Sequence, residues 1–201
     1  LGAEHPSVAR SLHLFGACVL KAGRIDEGIE LLRRALAIPE KQEEEKEVGN
    51  SSRIGGHHLD VALTMQQVAV CAADAGRTED ADSLFREVLA IEERKLGADH
   101  LDVADTLSNL GECALKTGRT KDATAYYERA LKIEQDKFGA DQPVLGSTLH
   151  HLGLCAEQDG RTDEAEELFR RALAIEEKQM GADHPNVAAT LAGLGANALA
   201  S

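Results

Sequence analysis

Residues 101–138 read LDVADTLSNLGECALKTGRTKDATAYYERALKIEQDKF, and this stretch decides the fold. Val103, Leu107, Leu110 and Ala114 recur at helical spacing, and after Gly118-Arg119 the apolar positions Ala123, Tyr127, Ala130 and Ile133 do the same. The pattern predicts two amphipathic helices joined by a tight glycine turn. A helical hairpin with one apolar stripe on each arm follows.

The same unit recurs along the chain. Gly76-Arg77, Gly118-Arg119 and Gly160-Arg161 are 42 residues apart, and Gly23-Arg24 lies 53 before Gly76. His58, His100 and His184 keep that register, Gln142 takes the missing place, and His5 precedes His58 by 53. A fixed period is the mark of a repeat architecture, and the difference between 53 and 42 places an insertion of 11 residues after the first unit. The expected partition is a single array: 1–42 repeat 1, 43–53 the insertion, 54–96 repeat 2, 97–138 repeat 3, 139–180 repeat 4, and 181–201 the first helix of a fifth.

Within each unit, Pro185 of Asp183-His184-Pro185 suits a first helical turn, the histidines of that register suit capping or linker packing at helix starts, and the turn glycine ends the first helix. Gly16, Ala69, Gly111, Gly153 and Gly195 fall mid-helix, where glycine costs about 1 kcal/mol relative to alanine. Close approach of the paired helix would offset that cost, with Ala81, Ala123 and Ala165, and Gly28 in the first unit, expected to face the column.

Leu110-Gly111, Ala123, Tyr127 and Ala130 match the tetratricopeptide signature, and the chain resembles that family over nearly its whole length. The 42-residue unit, longer than the usual length of about 34, and the Leu-Gly-Ala-Asp-His linker from Leu96 to His100 are similar to kinesin light chain repeats. The first-helix aromatic of the signature is replaced by Leu12, Met65, Leu107, Leu149 and Leu191. The resemblance implies an all-α, right-handed α-solenoid of tandem helix-turn-helix repeats, and a non-catalytic adaptor that binds a peptide segment in its concave groove. The alternative is the sensor or regulatory array of a larger signalling NTPase or kinase.

Composition fits an interaction module. Aromatic residues make up 3% of the chain and tryptophan is absent, so alanine, leucine and glycine must supply the helix contacts. A net charge of -13 argues against a nucleic-acid partner, which would need clustered Lys and Arg, and leaves basic or neutral proteins. No apolar run approaches a membrane span, and Leu1 opens without a signal-like region, so a soluble cytoplasmic segment of a longer protein is expected.

Cys18, Cys71, Cys113 and Cys155 share one first-helix column. Packed helix axes lie roughly 8–10 Å apart, whereas a disulfide needs Cα atoms within about 7 Å, so these are expected to be small buried packing residues. His151 and Cys155 are four apart on one helix face, but two ligands make no metal site. Phosphate loops and a Ser-His-Asp order are missing as well, so no catalytic residue, metal or cofactor is expected.

In families with such repeats, an asparagine in the column Leu14, Gln67, Asn109, His151 and Gly193 hydrogen-bonds the backbone of an extended peptide, and Asn109 matches it outright. Gln67 and His151 offer related chemistry. Neighbouring inward columns add His13, Gln66, Ser108 and His150, and one turn on Val70, Glu112 and Leu154. These ten positions, from His13 to Leu154 and without Leu14 and Gly193, form the candidate groove.

Two further expectations concern the ends of units. Residues 185–200 should form a first helix whose stripe of Val187, Leu191, Leu194 and Leu199 favours weak end-to-end self-association. The segment 43–53, with its run of charges from Glu43 to Glu47, should be dispensable for folding, because loop length costs little. Its deletion restores the 42-residue register, and an unchanged thermal melt is the expected result.

Overall fold

The computed structural model describes residues 5–38, 57–139 and 142–200, and the insertion at 43–53 lies outside them. Two compact units, Leu1–Gly97 and Ala98–Ser201, are each built from helices alone among the described residues. The first holds α1 (Pro6–Lys21), α2 (Ile25–Leu36), α3 (His57–Asp74) and α4 (Thr78–Leu96). The second holds α5 (Leu101–Lys116), α6 (Thr120–Phe138), α7 (Pro143–Gln158), α8 (Thr162–Met180) and α9 (Pro185–Ala200). Sequential pairs α1/α2, α3/α4, α5/α6 and α7/α8 pack as hairpins, and each second helix also packs on the next first helix of its unit.

The Gly-Arg dipeptide makes the hairpin turn. Gly118 takes φ +73°, which an L side chain rarely adopts, and the next amide, of Arg119, reaches back 2.8 Å to the Ala114 carbonyl. Arg77 and Arg161 close the same bond, at the same length, on Ala72 and Ala156. Each arginine then caps the second helix by position and pairs with an acid three residues on, Arg77 Nε with Asp80 at 2.7 Å and Arg161 Nη1 with Glu164 at 2.5 Å. These pairs are exposed and add little to stability.

Histidine serves the starts of the first helices as expected, capping them at three of four places and packing on the linker at the other. The Nδ1 atoms of His5, His100 and His184 accept the amides of Ser7, Asp102 and Asn186, each at 3.2 Å. His58 differs: it lies inside α3, buried, with Nε2 3.1 Å from the Ile38 carbonyl. It seals the start of α3 onto the segment after α2 rather than capping it.

Both predicted stripes of the third unit are buried: Val103, Leu107, Leu110 and Ala114 on α5, Ala123, Tyr127, Ala130 and Ile133 on α6. The glycine column has a different occupant from the one expected. A β-carbon on Gly111 would stand 2.7 Å from Cε2 and Cζ of Tyr127, and one on Gly153 would stand 2.6 Å from Cε1 of Phe169. The aromatic rings of the second helices, not the alanines, fill the space the glycines leave. In the first repeat, which has leucine at that position, Gly16 meets Leu32 and the Gly28 carbonyl.

The cysteine expectation needs correction as well. Cys113 and Cys155 are buried, Cys155 among Ala114, Ala123, Tyr127 and Leu152, but Cys18 and Cys71 are exposed. Helix α9 spans Pro185–Ala200, with Val187 buried and Leu191 and Leu199 exposed.

Helical periodicity gave no warning of one feature. Glu134 on α6 and Glu176 on α8 are 2% and 1% exposed, yet both are carboxyls. Each meets a buried threonine of the following first helix: Thr148 Oγ1 donates to Glu134 at 2.9 Å and Thr190 Oγ1 donates to Glu176 at 2.8 Å. Buried polar groups need such partners, and these bonds tie successive hairpins of the second unit together.

Candidate functional site

The candidate groove residues all lie on first helices, and the structure divides them by what their polar atoms already do. In the first unit, His13 Nε2 is 2.9 Å from Thr64 Oγ1, linking α1 to α3. The Thr64 hydroxyl donates to the Asp60 carbonyl at 3.1 Å, so the imidazole is the donor in that link. Burial lowers the His13 pKa, against the opposing charge of Asp60. Gln66 is half-buried, while Gln67 and Val70 are exposed.

The second unit repeats the device with His150. Its Nδ1 lies 3.0 Å from Thr190 Oγ1, whose proton is directed at Glu176. The proton order is therefore His150 Nδ1–H to Thr190 O–H to Glu176, a three-member chain across α7, α8 and α9. Burial, then the neighbouring His151, pushes the His150 pKa down to about 4, and burial raises that of Glu176. His13 and His150 are thus inter-helix struts.

Asn109 and His151 are placed differently. Asn109 Nδ2 donates to the Asp105 carbonyl at 3.0 Å, and His151 Nδ1 lies 2.8 Å from the Ser147 carbonyl. A carbonyl only accepts, so the His151 proton sits on Nδ1 and, in the neutral ring, Nε2 is an acceptor. Both side chains use one donor on the carbonyl four residues back in their own helix, which fixes their orientation. Both are half-buried, as are Ser108 and Leu154, and Glu112 is exposed and paired with Lys116 at 2.7 Å.

The His151 imidazole also stacks on Tyr127, with ring centroids 5.0 Å apart and an interplanar angle of 21°. His150 meets it edge-on at 5.4 Å and tilts against Phe169 at 5.5 Å. Gly193, the next member of the column, is where a β-carbon would stand 2.9 Å from Phe169 Cζ. The column therefore lies over the aromatic of the preceding hairpin, a relation no spacing argument showed.

No group of three or more His, Cys, Asp or Glu among the described residues is arranged to hold a metal. Burial raises the Cys155 pKa, and the residue packs among Ala114, Ala123, Tyr127 and Leu152. At the other end of the α5/α6 hairpin, Asp102, Asp105 and Glu134 line a cleft of about 450 Å³ with Leu101, Phe138, Pro143 and Val144. Among the described residues no helix is long and apolar enough to cross a membrane.

A sequence profile of the tetratricopeptide repeat matches residues 60–136 and 144–201, well over half of the chain. The chain belongs to the tetratricopeptide-repeat family. Its all-α hairpins, recurring every 42 residues, are tetratricopeptide hairpins of the longer kind. The structure of the nearly identical TPR-like repeats of a protein described as a kinesin light chain from Podosopora anserina is 23% identical, with TM-score 0.62, and the match covers 98% of this chain and 88% of that one. BtubC (BKLC) from P. vanneervenii is 22% identical with TM-score 0.68, covering 97% of this chain and 73% of that one. The type III secretion translocator chaperone SycD of Yersinia enterocolitica is 18% identical with TM-score 0.56, covering 70% and 93%. At these identities the likeness speaks for the tetratricopeptide fold. No curated protein sequence matches the chain.

Proposed function

We propose that the chain is a protein-interaction scaffold that holds an extended peptide segment against the first-helix faces of its repeats. The observation that carries this reading is the shared orientation of Asn109 and His151. They stand 42 residues apart in one column, each back-bonded to the carbonyl four residues earlier, at 3.0 and 2.8 Å. Side chains immobilised before binding lose less freedom when a ligand arrives. The Asn109 carbonyl oxygen and second amide hydrogen, and the His151 Nε2, then complement the amides and carbonyls of a peptide backbone. Gln67, in the same column of the first unit, is assigned the same role there, with Gln66, Ser108, Val70, Glu112 and Leu154 as flanking contacts.

The chemistry of the ligand follows from charge. A net charge of -13 attracts basic segments over long range and repels acidic ones. The His150–Thr190–Glu176 chain has its atoms committed to each other inside the helix stack, so it serves packing.

The test starts from dodecapeptides selected from a random display library on the purified chain. Asn109→Ala should weaken the selected peptides by about 1 kcal/mol in calorimetry, the net value of one hydrogen bond. Folding should hold, because Asn109 is half-exposed and alanine is the better helix former. Normal affinity in both Asn109→Ala and Gln67→Ala, or selection of no peptide, overturns the groove reading.

A further inference from the structure

In the 42-residue register Phe85, Tyr127 and Phe169 occupy one position. All three rings are at most 1% exposed. Packing at this position is therefore served by phenylalanine, twice, and the hydroxyl of Tyr127 is a departure that packing does not ask for. It also carries a penalty: the Tyr127 oxygen is buried and has no hydrogen-bond partner. An unpaired buried hydroxyl is destabilising, and a native structure that keeps one needs a reason.

The surroundings supply one. The Cζ atom that bears the hydroxyl lies at the Gly111 notch of α5, and Glu112, Cys113 and Cys155 are the ionisable neighbours of the oxygen. The hydroxyl thus sits in the seam between α5 and α7, within electrostatic reach of Glu112, which the groove reading already uses. One face of its ring is covered by His151, whose side chain is half-buried and makes its hydrogen bond through Nδ1. A tilt of that imidazole about its Nδ1 hydrogen bond, which keeps the bond to Ser147, uncovers the ring, a movement open to partly exposed side chains on fast timescales.

We infer that the Tyr127 hydroxyl is a ligand-facing donor, which bonds a main-chain carbonyl oxygen of the peptide lying along Asn109 and His151. Donation is its role because burial and the nearby Glu112 carboxylate hold the phenolic proton in place. A carbonyl is the fitting partner, because it brings an acceptor and no charge into a seam already beside a carboxylate. This inference rests on the groove reading and adds a subsite to it.

The experiment uses the full chain, the library-selected dodecapeptide, and the variants Tyr127→Phe and Asn109→Ala. Tyr127→Phe should melt at the same temperature or higher, since it removes an unpaired group and restores the residue found at Phe85 and Phe169. It should bind the peptide roughly threefold to tenfold more weakly, the range for one hydrogen bond. The chain has two tyrosines, so carbon-labelled tyrosine NMR isolates the Tyr127 Cζ signal, which should move on peptide addition. A lower melting temperature in Tyr127→Phe would mean that the hydroxyl already has a partner and would overturn the inference. Full affinity in Tyr127→Phe with weakened Asn109→Ala overturns the subsite and keeps the groove. Full affinity in both, or no selected peptide, removes the groove and the subsite together.

Discussion

Phe169→Ala should lower the unfolding free energy by about 3–5 kcal/mol, the range for truncating a buried phenylalanine. The ring is 0% exposed and is held from two sides by glycines, Gly153 on α7 and Gly193 on α9, whose absent β-carbons would stand 2.6 and 2.9 Å from it. Side chains that line a cavity relax partly into it. Glycines have none to move, so on those two sides the hole can close only if α7 and α9 shift as whole helices, and the loss should fall toward the upper end. His150, tilted on the ring at 5.5 Å, loses a neighbour as well. Denaturant unfolding followed by circular dichroism measures the effect as a fall in midpoint. A loss below about 1.5 kcal/mol, well under the usual range, would show that the ring does not wedge the helices apart.

Glu134→Gln should make the chain more stable at pH 8 and erase much of that gain at pH 5. Burial, partly opposed by the Thr148 hydrogen bond and reinforced by Asp105, raises the Glu134 pKa from 4.5 to about 7. The folded state therefore binds the proton more tightly than the unfolded chain does. The contribution of this group is fully present below about pH 4.5 and is lost as pH rises through about 7. A shift of this size corresponds to roughly 3 kcal/mol between the two limits. Glutamine stays neutral throughout and can still accept from Thr148. The difference between variant and native melts, taken from pH 5 to pH 8, cancels the titration of other groups; a flat difference would refute the assignment.

Helices, turns and core columns were legible in the sequence because each rests on a short-range rule. Val103, Leu107, Leu110 and Ala114 are forced to one face by helical geometry, and Gly118 ends α5 because few other residues tolerate its φ. What was illegible depends on contacts between elements. The ring opposite Gly111 comes from Tyr127, one turn beyond the alanine that spacing suggested, since a long side chain reaches a notch that its own Cα does not face. His13 and His150 fit an inward column, yet their nitrogens are turned to threonines of the next first helix. Glu134 and Glu176 read as solvated charges among many; their recurrence 42 residues apart, opposite Thr148 and Thr190, was the available signal.

That recurrence also makes the repeat a brick with matching ends. A hairpin such as α7/α8 offers a hydroxyl on its leading helix, Thr148, and a carboxyl on its trailing helix, Glu176, and each is buried against the complementary group of a neighbour. A duplicate of this 42-residue unit, spliced in after Met180, would present Thr to the carboxyl before it and Glu to the hydroxyl after it. A splice shifted by one residue would bury a carboxyl facing no hydroxyl. Copies are therefore interchangeable only in whole units, so the array can lengthen or shorten by 42 residues at a time without redesign of its joints.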